Sequence, residues 1–188
     1  GSETVGLLSA MTASRYGDPR TAFNVARVKH DLWRAGYVGA MLVDRRNAET
    51  ANTVGGVDFS LWPMQKLNVQ GFGARTTTKG PGGDDVAWRL GADYQSTNMS
   101  ASLSHVAVGP DVEASAGFVT RTDIKRTQGN ARYVFRPHVL NLRRVSISVF
   151  NDVVTNTRGE RLDWNVSLGT SPTWNTADNM ALFYSMGR

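Results

Sequence analysis

The chain has 188 residues and a net charge of +5, from 21 Lys and Arg against 16 Asp and Glu. Hydrophobic residues make up 40% and charged residues 20%, a balance that excludes an intrinsically disordered chain. Cysteine is absent, which excludes a disulfide framework, a zinc–thiolate site and a cysteine nucleophile. No apolar stretch approaches the roughly 18–20 residues of a membrane-spanning helix.

Alternation of apolar and polar residues recurs along the whole chain and predicts β-strands with two different faces. In chain order, the alternating runs cover 4–12, 22–32, 36–43, 57–61, 66–74, 86–95, 99–108, 124–136, 145–149, 161–168 and 179–186. Turn-forming residues separate the runs, most strongly at 16–19, 34–36, 79–84 and 156–159, and more tightly at 62–65 and 97–98. Residues 18–28 carry a helical turn at most. We therefore predict an all-β protein of about ten or eleven strands in one domain over 1–188.

The clearest run, 86–95, decides how we interpret the two faces. One row holds Val86, Trp88, Leu90, Ala92 and Tyr94, and the other holds Ala87, Arg89, Gly91, Asp93 and Gln95. In an antiparallel transmembrane β-barrel, apolar rows face lipid and polar rows face the interior. We predict that Trp88, Leu90 and Tyr94 face lipid or its interface, and that Arg89 and Asp93 line an aqueous lumen.

The run 161–168 repeats this arrangement. Trp164 and Val166 belong to its apolar row, and Asp163 belongs to its polar row, so we predict the same outward and inward orientations. Several aromatic residues fall near predicted strand ends, as expected for belts at the two membrane interfaces. They are Trp33, Tyr37, Trp62, Tyr94, Trp174 and Tyr184. In a soluble β-sandwich or β-barrel, the same aromatics would be ordinary core and rim residues.

Five segments resemble, in order, a family of outer-membrane β-barrels of unknown function that follow a family-9 carbohydrate-binding-like domain in Gram-negative bacteria. They are 4–12, 24–32, 54–58, 117–124 and 155–162. The resemblance implies an outer-membrane barrel with lipid as its partner. The carbohydrate-binding-like module is missing, so no sugar-binding role carries over. The family barrel is longer, so we expect a segment of a larger barrel that uses further strands or subunits, although closure by this chain alone remains an alternative.

A basic cluster spans the fourth fifth of the chain. Its members are Arg121, Lys125, Arg126, Arg132, Arg136, Arg143 and Arg144. We favour the interpretation that these residues pair with aspartates across a lumen. In a second interpretation, Arg132 and Arg136 line a pore and favour anions. Arg143 and Arg144 could instead contact lipid phosphates. Recognisable RNA-binding strand motifs are absent, so we expect no nucleic-acid partner.

Catalytic and metal-binding patterns are weak. His30, His105 and His138 have no metal-ligand partner at a short spacing, and Ser104 precedes His105 on the opposite face of a strand. Asp84 and Asp85, near a glycine run, could bind calcium as carboxylates, but no spacing of a calcium-binding motif supports such a site. We expect no enzyme activity, no metal and no cofactor. The role that we predict is structural or that of a passive pore. The alternatives are a soluble β-barrel or sandwich that binds a small apolar ligand or a partner protein, and a barrel hydrolase using His30 or His138.

Overall fold

The computed structural model of the protein describes residues 1–14, 19–79, 83–114, 121–137 and 139–188. Several features singled out in the sequence lie outside the described residues. They are most of the predicted turn at 16–19, most of the glycine run 80–83, residues 117–120 of the family-like segment 117–124, and His138.

Eleven strands form one antiparallel sheet, in which every strand pairs with the next one along the chain. They are β1 (Glu3–Thr12), β2 (Thr21–Asp31), β3 (Tyr37–Arg46), β4 (Ala51–Met64), β5 (Leu67–Lys79), β6 (Asp85–Gln95), β7 (Met99–Val108), β8 (Ile124–Phe135), β9 (Leu142–Thr155), β10 (Arg161–Trp174) and β11 (Leu182–Gly187). The all-β prediction is confirmed. The described part of the chain has no α-helix, only a 3-10 turn at Trp33–Ala35.

None of the helical structure in the described residues could cross a membrane.

The limit of one helical turn at most for residues 18–28 holds in their described part, because residues from Thr21 onward alternate and pair with both neighbouring strands as β2. One local prediction is wrong. The turn predicted at 62–65 begins later, since β4 runs to Met64. Pro63 cannot donate to the ladder and lies within a register shift between Leu61 and Met64, where a bulge tolerates proline.

The register assigns each side chain to one of two faces, because directly paired residues point to the same side of a sheet. The face of Trp88 carries mostly large apolar residues. Following the pairing, they include Val5, Leu7, Val28, Val38, Leu42, Val57, Phe59, Leu61, Val69, Leu90, Leu103, Tyr133, Ile147, Val149, Trp164, Val166, Leu168 and Tyr184.

The opposite face is predominantly polar. It carries Arg27, Asp58, Gln70, Arg89, Asp93, Ser102, Ser104, Arg126, Asn130, Arg132, Ser146, Ser148, Asp152, Asp163, Asn165 and Ser167. The alternation that predicted two unlike faces therefore extends over the whole sheet.

The sheet curves around its polar face. Arg27 of β2 and Arg126 of β8 line the same cavity of about 580 Å³. Six strand spacings of about 4.8 Å would place these strands about 29 Å apart on a flat sheet, too far for one such cavity to join them. The polar side is hence the concave face, and the side that carries Trp88 is the convex face.

The connections differ between the two ends of the sheet. The short-turn end has the two-residue turn at 65–66 and the three-residue turn at 96–98, whereas the long-loop end has the connection 109–123. The strands are also staggered in one direction. A row of paired residues begins at Glu3, at the short-turn end of β1, and reaches Trp164, near the long-loop end of β10. Such stagger belongs to tilted strands in a curling sheet.

The sheet is open. β1 and β11 are its two edges, and among the described residues neither edge pairs with another strand on its outer side. A barrel closed by this chain alone, which the sequence left as an alternative, is therefore not formed.

Candidate functional site

Strand β6 places its predicted residues as two opposite rows. Trp88, Leu90 and Tyr94 lie on the convex face, whereas Arg89 and Asp93 lie on the concave face. Trp88 contacts the ring of His105 on the next strand, with 5.1 Å between ring centroids, and remains 42% exposed. Asp93 accepts a hydrogen bond from Gln70 on β5 at 3.0 Å. No second sheet covers Trp88 in the described part of the chain.

Strand β10 has the same arrangement. Trp164 and Val166 lie on the convex face, and Asp163 lies on the concave face. The guanidinium of Arg161 sits over the Trp164 ring, 5.6 Å from its centroid. This is a cation–π geometry at the long-loop end of the strand.

Cross-strand polar contacts connect neighbouring strands on the concave face. Arg27 pairs with Asp58 at 2.8 Å across β2, β3 and β4. Arg126 of β8 makes two contacts with Asp152 of β9, at 2.8 and 2.5 Å. A further hydrogen bond, between the hydroxyls of Ser167 and Ser185, joins β10 to β11 at 2.8 Å. These contacts satisfy polar groups without a hydrophobic core beneath them.

The basic cluster pairs with aspartates at one position in the described residues. Arg126 forms an ion pair with Asp152, an aspartate as the favoured interpretation requires, but on the neighbouring strand β9 and not across a lumen. Arg132 instead donates to Ser146 at 3.2 Å, and Arg136 donates to Asn98 at 3.3 Å. No carboxylate of the described residues lies within 4.0 Å of either guanidinium. The favoured interpretation is therefore wrong for these two residues, which have no carboxylate partner in the described ranges of the chain.

Asp123 anchors the long-loop end just before β8. Its carboxylate accepts a bond from the Thr157 hydroxyl and another, at 3.1 Å, from the Thr157 backbone N–H. These two bonds lower the pKa of Asp123 below its usual value, because they stabilise the ionised form. The loops before β8 and after β9 are thereby tied together.

Of the residues considered for catalysis, those that the structure describes (His30, Ser104 and His105) are not assembled into a site. His30 lies 3.6 Å from Glu3, while Asp31 faces the other side and pairs with Lys29. His105 contacts the Thr127 hydroxyl at 2.8 Å on the convex face, and Ser104 points to the concave face.

The residues considered for calcium are engaged elsewhere. Asp84 pairs with Arg75 at 3.3 Å, and Asp85 accepts a bond from the Asp111 backbone N–H at 2.9 Å. Within the ranges that the structure describes, no three His, Cys, Asp or Glu side chains form a metal-binding group.

The aromatic residues predicted near strand ends cluster at one end instead of two. Trp33, Tyr37, Trp62, Tyr94, Trp174 and Tyr184 all lie toward the short-turn end. Trp88 and Trp164 provide the aromatic residues toward the long-loop end of the convex face. Trp88 and Tyr94 are six positions apart, which corresponds to about 20 Å along β6. Aliphatic residues such as Leu90 occupy the convex face between these two levels.

The part of the chain that the structure describes lacks the core of an ordinary globular domain. Its accessible surface is 12559 Å², whereas a folded monomer of 20.5 kDa is expected to expose about 8,900 Å². Among the described residues, the buried hydrophobic side chains are those of Ala107, Val112 and Val154. Leu7, Val57 and Leu103 are each more than half exposed on the convex face. A broad apolar surface is therefore uncovered in the isolated chain.

A feature missed in the sequence is the loop that follows β7. Val112 is buried against the concave side, and Asn52 on β4 donates to the Glu113 carbonyl at 2.9 Å. Asn52 and Glu113 lie 61 positions apart in the chain, so no local pattern connects them. The apolar residue Val112, placed between the charged residues Asp111 and Glu113, was the available signal.

Comparison of the sequence with models of known protein families finds no match, and comparison with curated proteins finds none either.

Proposed function

We propose that this chain forms part of the wall of an outer-membrane β-barrel with a structural or passive, pore-like role. The observation that carries the proposal is the segregation of apolar and polar residues onto opposite faces of eleven consecutive antiparallel strands. A convex apolar face suits acyl chains, and a concave polar face suits a hydrated interior. The order of the family-like segments supports the same family of barrels, although no family model matches the chain.

The uncovered apolar surface supports this proposal over a soluble domain. A soluble sandwich would bury residues such as Trp88 and Leu103 against a second sheet, and no such sheet exists among the described residues. In a membrane, lipid would cover the convex face, so no second sheet would be needed. Hydrocarbon offers no hydrogen bonds, so the edges β1 and β11 would require further strands, from this protein or from a partner subunit.

The concave face supplies the proposed transport property. Its hydroxyl, amide and charged groups would hydrate the interior, and Arg132 and Arg136 would favour anions because no nearby carboxylate among the described residues neutralises them. No catalytic step or cofactor is needed for passive passage. The balance of charge along the lumen then determines which solutes enter.

Cysteine labelling tests the orientation directly, because the chain contains no native cysteine. Leu90→Cys and Arg89→Cys form a matched pair at adjacent positions on opposite faces of β6. After reconstitution into lipid vesicles, we expect a water-soluble maleimide to label the Arg89→Cys variant and spare the Leu90→Cys variant. A lipid-soluble nitroxide should be close to a fluorophore at position 90 and distant from one at position 89. Equal labelling of both positions, or the reverse preference, would refute the proposal.

A further inference from the structure

The concave face is not polar throughout. Toward the long-loop end it contains the cavity of about 580 Å³, whose wall includes a continuous group of apolar side chains. These are Met41, Val54, Phe72, Ala74, Ala87, Val106, Val108, Val112, Ala114 and Ile124. The volume falls within the roughly 300–1,000 Å³ of ordinary small-ligand pockets. A purely water-filled interior has no need of such a lining.

Residues 109–114, the described part of the loop directly after β7, lie at one side of this cavity. The Asp111 backbone N–H donates to Asp85 at 2.9 Å, and Glu113 accepts from Asn52 through its carbonyl at 2.9 Å. Val112 lies between these two anchors with 7% of its surface exposed. The anchors come from β6 and β4, so residues 111–113 lie over the sheet and add Val112 to the apolar lining.

Positive charge borders the apolar lining. Arg27 and Arg126 each have a carboxylate partner, Asp58 at 2.8 Å and Asp152 at 2.5 Å. Arg121 also lines the cavity and is exposed, and no carboxylate of the described residues lies within 4.0 Å of its guanidinium. Within the described part of the chain, the site therefore combines an apolar chamber with a guanidinium that no carboxylate neutralises.

We propose that this cavity binds a single-chain anionic amphiphile of the fatty-acid class. The alkyl chain lies against Ala74, Ala87 and Val106, and the anionic head faces Arg121. Apolar contact provides most of the affinity, while the guanidinium selects the charge of the head. The inference needs only the cavity and its charge, so it is independent of the proposed membrane role.

Titration calorimetry on the folded full chain in amphipol tests the ligand class with three ten-carbon probes, using amphipol alone as the blank. The probes are decanoate, decanol and decyltrimethylammonium. We expect saturable binding of decanoate, weaker binding of decanol, and the weakest binding of the cationic probe. Equal binding of all three probes, or no saturable heat with decanoate, would overturn the proposal.

Two pairs of variants locate the site. Ala87→Phe fills the cavity, and Ala92→Phe adds the same side chain on the convex face of the same strand. Only Ala87→Phe should abolish decanoate binding, and Val106→Phe provides a second filling variant if the first does not fold.

Arg121→Gln should weaken decanoate binding about tenfold and leave decanol binding unchanged, whereas Arg143→Gln, at the other end of the sheet, should affect neither. Unchanged binding by the filling variants or by Arg121→Gln would refute the site.

The result can be separated from that of the membrane proposal. Labelling at positions 89 and 90 reports orientation whether or not decanoate binds. Loss of decanoate binding in Ala87→Phe would support the cavity even if the labelling contradicted a membrane location. Wild-type binding by Ala87→Phe would remove the cavity proposal even if the labelling placed the convex face in lipid.

Discussion

Arg126 and Asp152 are diagonal neighbours on adjacent strands of the concave face and form a two-point contact, with Nε–Oδ1 at 2.8 Å and Nη2–Oδ2 at 2.5 Å. The guanidinium is 44% exposed and the carboxylate 18% exposed. A two-point contact fixes both side chains better than a single bond. Solvent around the arginine nevertheless reduces the energy of the contact.

Arg126→Gln should destabilise the folded state by about 1 kcal/mol, because it leaves Asp152 without its charged partner. The measurement is the urea midpoint for unfolding from lipid vesicles. The loss should shrink when Asp152→Asn is added, since the pair then no longer exists. Arg20→Gln, an exposed position before β2, serves as the control and should have little effect. Strictly additive effects of the two substitutions would contradict coupling between the residues.

The pKa of Asp123 gives a prediction for pH. The folded state lowers this pKa, so the Asp123 carboxylate adds stability at pH values above its usual pKa. That contribution is lost as the pH falls through the lowered pKa. Thermal unfolding between about pH 7 and pH 3 should therefore show a steeper acid loss in the wild type than in Asp123→Asn. Asp111→Asn provides the control in the preceding loop, and identical profiles for the wild type and Asp123→Asn would refute the role of Asp123.

Charge selectivity tests the two arginines at the short-turn end. Arg132→Ser combined with Arg136→Ser should lower the anion-to-cation permeability ratio of channels in planar bilayers, because two positive charges leave the concave face. Arg46→Ser removes a charge that lies on the convex face beside Asp44 and should leave the ratio unchanged. An unaltered ratio in the double variant would show that these two arginines do not determine selectivity.

The two faces also differ in their predicted tolerance of charge. Leu103→Arg places a cation in the middle of the convex face and should destabilise the membrane-inserted state by about 2–4 kcal/mol. Ser104→Arg adds the same side chain one residue later on the concave face, where water is available, and should change stability far less. Equilibrium folding into vesicles measures both. Similar costs for the two variants would contradict lipid contact at Leu103.

Much of the sheet could be predicted because alternation is a local property. The opposed rows of 86–95 and 161–168 appear as two faces in β6 and β10, since successive strand residues point to opposite sides. The strand count was also close, because glycine and proline mark most of the turns.

The stagger of the strands, the cavity and the partners of the arginines could not be predicted, because they depend on contacts between residues that are distant in the sequence. The stagger from Glu3 to Trp164 accumulates over nine pairings, and no single turn encodes it. The cavity depends on Asn52 meeting the loop at Glu113. Arg132 and Arg136 were assigned carboxylate partners because aspartates are numerous, but composition does not determine which side chains meet in space.

The two open edges impose a rule on any complete assembly. Each strand reverses the direction of the one before it, so β1 and β11, the first and last of eleven, run the same way. They cannot pair with each other in antiparallel fashion. Any closed sheet with antiparallel neighbours throughout must therefore contain an odd number of additional strands between β1 and β11. The smallest such barrel has twelve strands.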